Sequence, residues 1–348
     1  MSEPGPRVAG VLPFDVDWLP YRLDVALRRV LWVRMDAAQR KRAAFLDDRA
    51  LPADVEGTWA PLDAWPASMG DVPCDAIFHI GHCGSTLLSR VLGTWPGVQA
   101  LREPMALRTL AAQWPGRGAM DAWLSTEALD RVFDATWSAL SRTAEGGRTL
   151  VKATSSCNAL IAPLLMRRPT SRVVLLDMPL RAYLATLLKS PGSMGDALAA
   201  APERLLDLRA RGHGDDWFLH ALDPATQCAM GWLAERVRFD ALHAAHPTRV
   251  LRVDFHALLA DRAGQLARIA DFLGLDLSQL DPALRDDAWG RYAKAESHAY
   301  DSSAREHDLA LSVQRNREAI DRALAWVDHE VARDPALQRV IAGALADG

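Results

Sequence analysis

Lysine is scarce in this chain. Of 40 basic residues among 348, only four are lysines: Lys41, Lys152, Lys189 and Lys294. The chain otherwise uses arginine. Some of these four sites need a compact ammonium, as phosphate sites often do, or lysine survives there by chance in an Arg-rich composition. Cysteine is scarce too. Cys74, Cys83, Cys157 and Cys228 stand at no metal-ligand spacing. They read as free thiols of a reducing cytoplasm, and no metal is expected. No run approaches the roughly 18 apolar residues of a membrane span. The opening Met1-Ser2-Glu3-Pro4-Gly5-Pro6 lacks the basic-then-apolar pattern of a signal peptide, so a cytoplasmic protein is expected. A net charge of −4 gives nucleic acid no bulk attraction. What remains is a globular chain, 49% apolar and 24% charged. It is long enough for one large α/β domain with additions, or for two small ones.

A further absence is local. Phe78-His79-Ile80-Gly81-His82-Cys83-Gly84-Ser85-Thr86-Leu87-Leu88 reads as an apolar strand, a glycine-bracketed loop, two hydroxyls and an apolar helix. The glycines let backbone N–H groups turn toward an anion, and the helix adds its positive end. Ser85 and Thr86 can cap the helix and also contact the anion. The nucleotide-triphosphatase pattern ends Gly-Lys-Ser/Thr, whereas this loop ends Gly-Ser-Thr. A phosphate-like ligand held by Gly81, Cys83, Gly84, Ser85 and Thr86 is expected. The plain alternative is a strand–helix turn that needs positive φ.

Around the loop, short apolar runs alternate with helical patterns. Strands are expected at 76–80, 98–101, 149–153, 173–176 and 250–255. Helices are expected at 85–92, 119–143, 180–188, 225–245 and 262–273, the last ended by Gly274 in a left-handed cap. Residues 192–216 read as an irregular insertion with a helix inside it. Continuous apolar strands between helices predict a parallel sheet covered on both faces, with ligands at the carboxyl ends of its strands. Before residue 75, helices are expected at 21–35 and 37–45, broken by Pro52, Pro61 and Pro66. The organisation expected is a helical cap over 1–74, an α/β domain over 75–290 and a helical segment over 291–348 packed on that domain.

Strand, glycine loop, Gly-Ser-Thr and Leu-Leu together resemble the 5′-phosphosulfate loop of the sulfotransferase family. Those enzymes move a sulfuryl group from 3′-phosphoadenosine 5′-phosphosulfate (PAPS) to a hydroxyl or amine. Val250-Leu251-Arg252-Val253-Asp254-Phe255-His256-Ala257-Leu258-Leu259-Ala260-Asp261 is similar to the family's strand and acidic turn. Leu266-Ala267-Arg268-Ile269-Ala270-Asp271-Phe272-Leu273-Gly274-Leu275 resembles the helix that follows in bacterial members. Leu175-Leu176-Asp177-Met178-Pro179 sits where the family has a strand ending in Arg-x-Pro. The likeness spans residues 75–300. It implies an α/β, three-layer P-loop fold: a central, mainly parallel five-stranded sheet flanked by helices, with helical N- and C-terminal additions. It also implies PAPS as donor, no metal, and a small-molecule or peptide acceptor.

The resemblance assigns roles residue by residue, and the chain departs from it at three places. His82 stands where the family has a Lys or Arg that neutralises the oxygen left by the sulfuryl group. A protonated imidazole could do that work, and imidazoles titrate near ~6.5. Asp177 falls on the arginine for the 3′-phosphate, which it would repel. Ala185 falls on the partnering serine, with Thr186 next to it. Arg181 and Lys189 are the possible replacements, or solvated helix charges. Lys152, in Leu150-Val151-Lys152-Ala153-Thr154, resembles a Lys-x-Thr segment of bacterial members and ends a strand beside the loop. Lys294 falls in the segment the family folds over the nucleotide. A sulfuryl acceptor must lose a proton, and Glu103 after the second strand is the candidate base. His82 is the other candidate. His79 reads as a core histidine, and Arg102 as a possible phosphate or acceptor contact. Cys83, at a helix start, would be a reactive thiol or merely a small residue. Trp217 and Trp232 read as core residues or as the border of an apolar acceptor pocket. Two other functions fit the pattern. A P-loop kinase or nucleotide hydrolase would use ATP and magnesium held by Asp177. A non-catalytic binding protein would keep the loop and lose the clamp.

Overall fold

The computed structural model describes residues 15–48, 51, 55–66, 73–143, 147–290 and 302–346. Five strands make the central sheet: β4 (Cys74–His79), β5 (Val98–Arg102), β6 (Arg148–Lys152), β7 (Val173–Asp177) and β8 (Val250–Asp254). Their order is β5-β6-β4-β7-β8, and every pairing is parallel. All residues of β4 and β7 are buried. Successive side chains on a strand point to opposite faces, so both faces of the sheet are covered. The α/β class and the five strands are as the sequence implies. β4, which feeds the loop, is the middle strand.

The N-terminal addition differs from the expectation. Residues 21–35 form no helix. They belong to β1 (Trp18–Asp24) and β2 (Arg29–Arg34), which pair antiparallel, with β3 (Gly57–Pro61) added to β2. Asp24 makes the hairpin turn: its carboxylate accepts from the Leu27 N–H at 2.9 Å, and Arg28 takes φ +50°. No Gly or Asn marks that turn, so the apolar-basic run imitates a helix. The second expected helix is present as α1 (Ala37–Arg42), capped by Asp36 and Gln39 in a reciprocal box. This small sheet packs its Trp32 edge-on to Trp65 and shares one apolar core with the central sheet.

Helices α2 (Ser85–Leu92), α3 (Met105–Gln113), α4 (Thr126–Ser141), α5 (Ile161–Arg167), α6 (Leu180–Leu187), α7 (Pro191–Ala210) and α8 (Pro224–Ala245) follow. The helix expected over 119–143 starts only at Thr126, where the Ser125 hydroxyl caps the Ala128 N–H. The expected irregular insertion is a regular 20-residue helix, α7, with Pro202 inside it. It is held by packing on α8. Then come α9 (Phe255–Ala260), α10 (Arg262–Leu273), α11 (Leu280–Leu284), α12 (Ser302–Arg315), α13 (Arg317–Arg333) and α14 (Pro335–Ala346). Gly274 ends α10 at φ +67°, the left-handed cap the sequence implies. α12 lies on α6, and α13 packs on both α6 and α8. No helix among the described residues is long and apolar enough to cross a membrane.

Candidate active site

The loop of residues 80–84 leaves β4 at the carboxyl edge of the sheet, between β6 and β7. Gly81 takes φ +102°, His82 +52° and Gly84 +77°. Such angles suit glycine and cost an L-residue such as His82 about 1–3 kcal/mol. Neighbours hold them in place. The Ile80 N–H donates to Leu176 O at 3.2 Å, and Asn158 Nδ2 donates to His79 O at 3.0 Å. The Gly81 N–H donates to His79 Nδ1 at 3.0 Å, and His79 Nε2 lies 3.0 Å from Ala153 O. Those partners assign the proton to Nε2. His79 is therefore a core histidine that shapes the loop. At Gly84 an added Cβ would stand 2.0 Å from the Phe255 ring. Only glycine fits there, on both steric and conformational grounds.

Gly84 caps α2 with no side-chain hydrogen bond. The first N–H groups of any helix lack intrahelical partners, and here they belong to the turn that starts with Ser85 and Thr86, each 4% exposed. The arrangement suits an anion. Cys83 is not a reactive thiol. Its Sγ contacts Leu176 O at 3.4 Å, and burial pushes the thiol up to about 12. Asp177 pushes the same way, and Lys152 opposes. Lys152 thus acts electrostatically on the loop from the neighbouring strand.

Lys152 ends β6 and Glu103 follows β5, and the structure brings them together. Lys152 Nζ makes a close ion pair with Glu103 Oε1, and the Glu103 N–H donates to Lys152 O at 2.6 Å. Glu103 takes φ +55°. Its Oε2 accepts from Arg108 Nη2 at 3.0 Å. Arg108 lies 4.0 Å from Asp47, and the Phe45 ring stands 5.9 Å from Lys152 Nζ. The lysine side chain is 2% exposed and the glutamate 13%. Sequence reasoning missed Arg108 and the 45–47 segment. The spacing of Glu103 and Arg108 across Pro104, the N-cap of α3, was the available signal for the first.

Other expected residues lie elsewhere. Arg102 donates to Ala43 O at 2.7 Å and to Lys41 O at 2.6 Å, tying α1 to the sheet rather than meeting a ligand. Burial pushes its guanidinium down to about 10. Arg181 is more than half exposed and pairs with Asp321 of α13 at 3.4 Å. Lys189 pairs with Asp308 of α12 at 3.3 Å. Ala185 O accepts from Ser312 Oγ at 2.6 Å, and Thr186 Oγ1 bonds back to Ala182 O at 2.8 Å. Lys294 lies outside the described residues. Asp177 is buried and paired with Arg236 of α8, with Arg252 of β8 at 3.9 Å. Burial pushes its carboxyl up, against both arginines. It meets arginines of its own chain, which the sequence order concealed. Trp232 donates to Met178 O at 2.9 Å, and Trp217 donates to Glu330 at 3.0 Å while meeting Trp326 edge-on. Both are core residues. Among the described residues no group of three or more His, Cys, Asp or Glu could hold a metal ion.

The fold is α/β, with a glycine-bracketed, positive-φ loop at the carboxyl edge of its parallel sheet. No family model matches the chain, and no curated protein does. Among solved structures it is similar to several sulfotransferases. One is the sulfotransferase domain of the curacin biosynthetic pathway: TM-score 0.40, 12% identity, covering 74% of this chain and 99% of that one. Another is the sulfotransferase domain of the Synechococcus PCC 7002 olefin synthase: TM-score 0.37, 16% identity, covering 72% and 97%. A third is a sulfotransferase from Alicyclobacillus acidocaldarius: TM-score 0.35, 15% identity, covering 71% and 96%.

Proposed function

We propose that this chain is a sulfotransferase that moves a sulfuryl group from PAPS to a hydroxyl or amine of a small or peptide-borne acceptor. One observation carries the reading. A lysine-free glycine loop at the start of α2 leaves the strand beside β6, at whose end the buried Lys152 pairs with the partly exposed Glu103. The phosphosulfate end of the donor would lie in the loop. Gly81, Gly84, Ser85 and Thr86 would hold it, while Cys83, which the sequence adds to that set, is buried with its Sγ on Leu176 O. The 3′-phosphate does not fit the positions the family uses. Asp177 is engaged by Arg236, and Ala185 O by Ser312. When bound, the donor supplies the sulfuryl group and the leaving nucleotide. The protein's own groups do the rest. Lys152, poorly solvated, stabilises negative charge more strongly than it would in water. His82 is the second basic group, on the loop itself. Glu103 takes the acceptor's proton while Lys152 and Arg108 fix its orientation.

Calorimetry with adenosine 3′,5′-bisphosphate, ATP–magnesium and sulfate tests this. Bisphosphate is expected to bind, and Ser85→Ala or Thr86→Ala to weaken it about tenfold. Binding of ATP only with magnesium, weakened by Asp177→Ala, would replace the reading with a nucleotide hydrolase or kinase. Binding of no nucleotide would leave a non-catalytic protein.

A further inference from the structure

A polar chain runs from the loop into the helical layer. Tyr183 of α6 is fully buried, and its hydroxyl donates to the Ile80 carbonyl at 3.3 Å. The peptide between Ile80 and Gly81 is thereby held on both sides, since its N–H bonds His79. Arg204 of α7 is 1% exposed, and its charge acts on the phenol. Burial pushes the phenol above the ordinary tyrosine range, with Arg204 opposing. The hydroxyl therefore keeps its proton near neutral pH. A cation behind the oxygen favours pointing that proton the other way, toward Ile80. Arg204 is anchored from α8, where its Nε donates to Glu235 at 2.9 Å. Glu235 also holds Arg238 at 3.3 Å, and Arg238 reaches Asp207 at 3.1 Å. The Arg204 fork lies against Gly231, where a Cβ would come within 3.1 Å of Nη1. Both Nη atoms are buried and meet no acceptor in close hydrogen-bond geometry among the described residues, and the Tyr183 hydroxyl is the polar group that the guanidinium faces. Apolar side chains would pack α7 on α8 at no such cost. A buried guanidinium kept there calls for a role other than packing.

We propose that Tyr183 is a positioning residue of the anion loop, held as a donor to Ile80 by the Arg204–Glu235 pair, so that the seating of α7 on α8 sets the loop's affinity for a sulfate- or phosphate-like group. The affinity part rests on the sulfotransferase reading, while the geometric part does not. Hydrogen exchange at residues 81–84 of the ligand-free chain reads the geometry. Calorimetry with inorganic sulfate and adenosine 3′,5′-bisphosphate reads the affinity. The variants are Tyr183→Phe, Arg204→Met and both together. Tyr183→Phe is expected to speed exchange at 81–84 about fivefold and to weaken binding about as much, with little change in melting temperature. Arg204→Met is expected to do the same, and to add less than about twofold in the double variant. Unchanged exchange in Tyr183→Phe overturns the proposal, as do losses that multiply in the double variant. If Arg204→Met does not fold, the Tyr183→Phe exchange alone decides. If the wild type binds neither anion, the sulfotransferase reading fails by itself, and the exchange cycle still judges Tyr183.

Discussion

The strand that feeds the loop has a charged cluster on each side, and the two clusters have the same charge balance. On the β6 side, Glu103 sits between Lys152 and Arg108. On the β7 side, Asp177 sits between Arg236 and Arg252. Each centres on one carboxylate between two cations, and in each a further carboxylate meets one of those cations, Asp47 on Arg108 and Asp240 on Arg252. Access to water separates them. Lys152 is as buried as any of these groups, at 2%, but its partner Glu103 is 13% exposed and Arg108 37%, and the Glu103 backbone is forced to positive φ. Asp177, Arg236 and Arg252 are 4%, 6% and 9% exposed. A sealed cluster can only support the fold, because no substrate reaches it. A cluster that reaches water, with backbone strain beside the glycine loop, is where the proposed transfer would take place.

Substitutions break the comparison most sharply on the sealed side. Arg236→Met leaves the buried Asp177 carboxylate with only the more distant Arg252, at 3.9 Å, and chemical denaturation is expected to show a loss of about 3 kcal/mol. Adding Asp177→Leu should restore most of it. A small loss in the single variant would mean that water reaches Asp177 and that the two sides are alike. On the open side the effect moves from stability to rate. Lys152→Met is expected to lower sulfuryl transfer about 100-fold, followed by mass spectrometry of the acceptor, because a poorly solvated cation is lost from the developing charge. Glu103→Gln should slow transfer about 10- to 50-fold and leave bisphosphate affinity nearly intact. An unchanged turnover removes Glu103 from the mechanism. The smallest effect concerns His256, next to the residue that packs on Gly84. Burial, and then Arg305, hold its imidazole below the ordinary histidine range. The unfolded chain therefore binds the proton first as pH falls, and stability present above about 6.5 is lost below it. Melting temperatures between neutral and mildly acid pH should show that slope in the wild type and less of it in His256→Gln.

The sequence exposes what is local and regular. β4, the glycine loop and α2 are legible because an apolar strand, positive-φ glycines and helix hydroxyls occur in one run. α10 is legible because Asp261 and Gly274 mark its two ends. The β1–β2 hairpin is not legible, since an aspartate and an arginine do the work usually given to Asn-Gly. Of the site, the loop is legible as an anion cradle. Glu103 and Lys152 are legible singly, but their pairing comes from the parallel register of Arg102 with Lys152. Asp177 reads as a repulsive charge because its arginines arrive from α8 and β8, 59 and 75 residues later.

The contact of Gly84 with Phe255 joins distant parts of the chain. Every residue of the loop itself is synthesised before residue 90, yet the ring that closes on Gly84 belongs to the first residue of α9, just after β8. A growing chain holds the whole motif long before it holds the wall behind it. A chain cut short before β8 would carry the motif intact and still lack that wall.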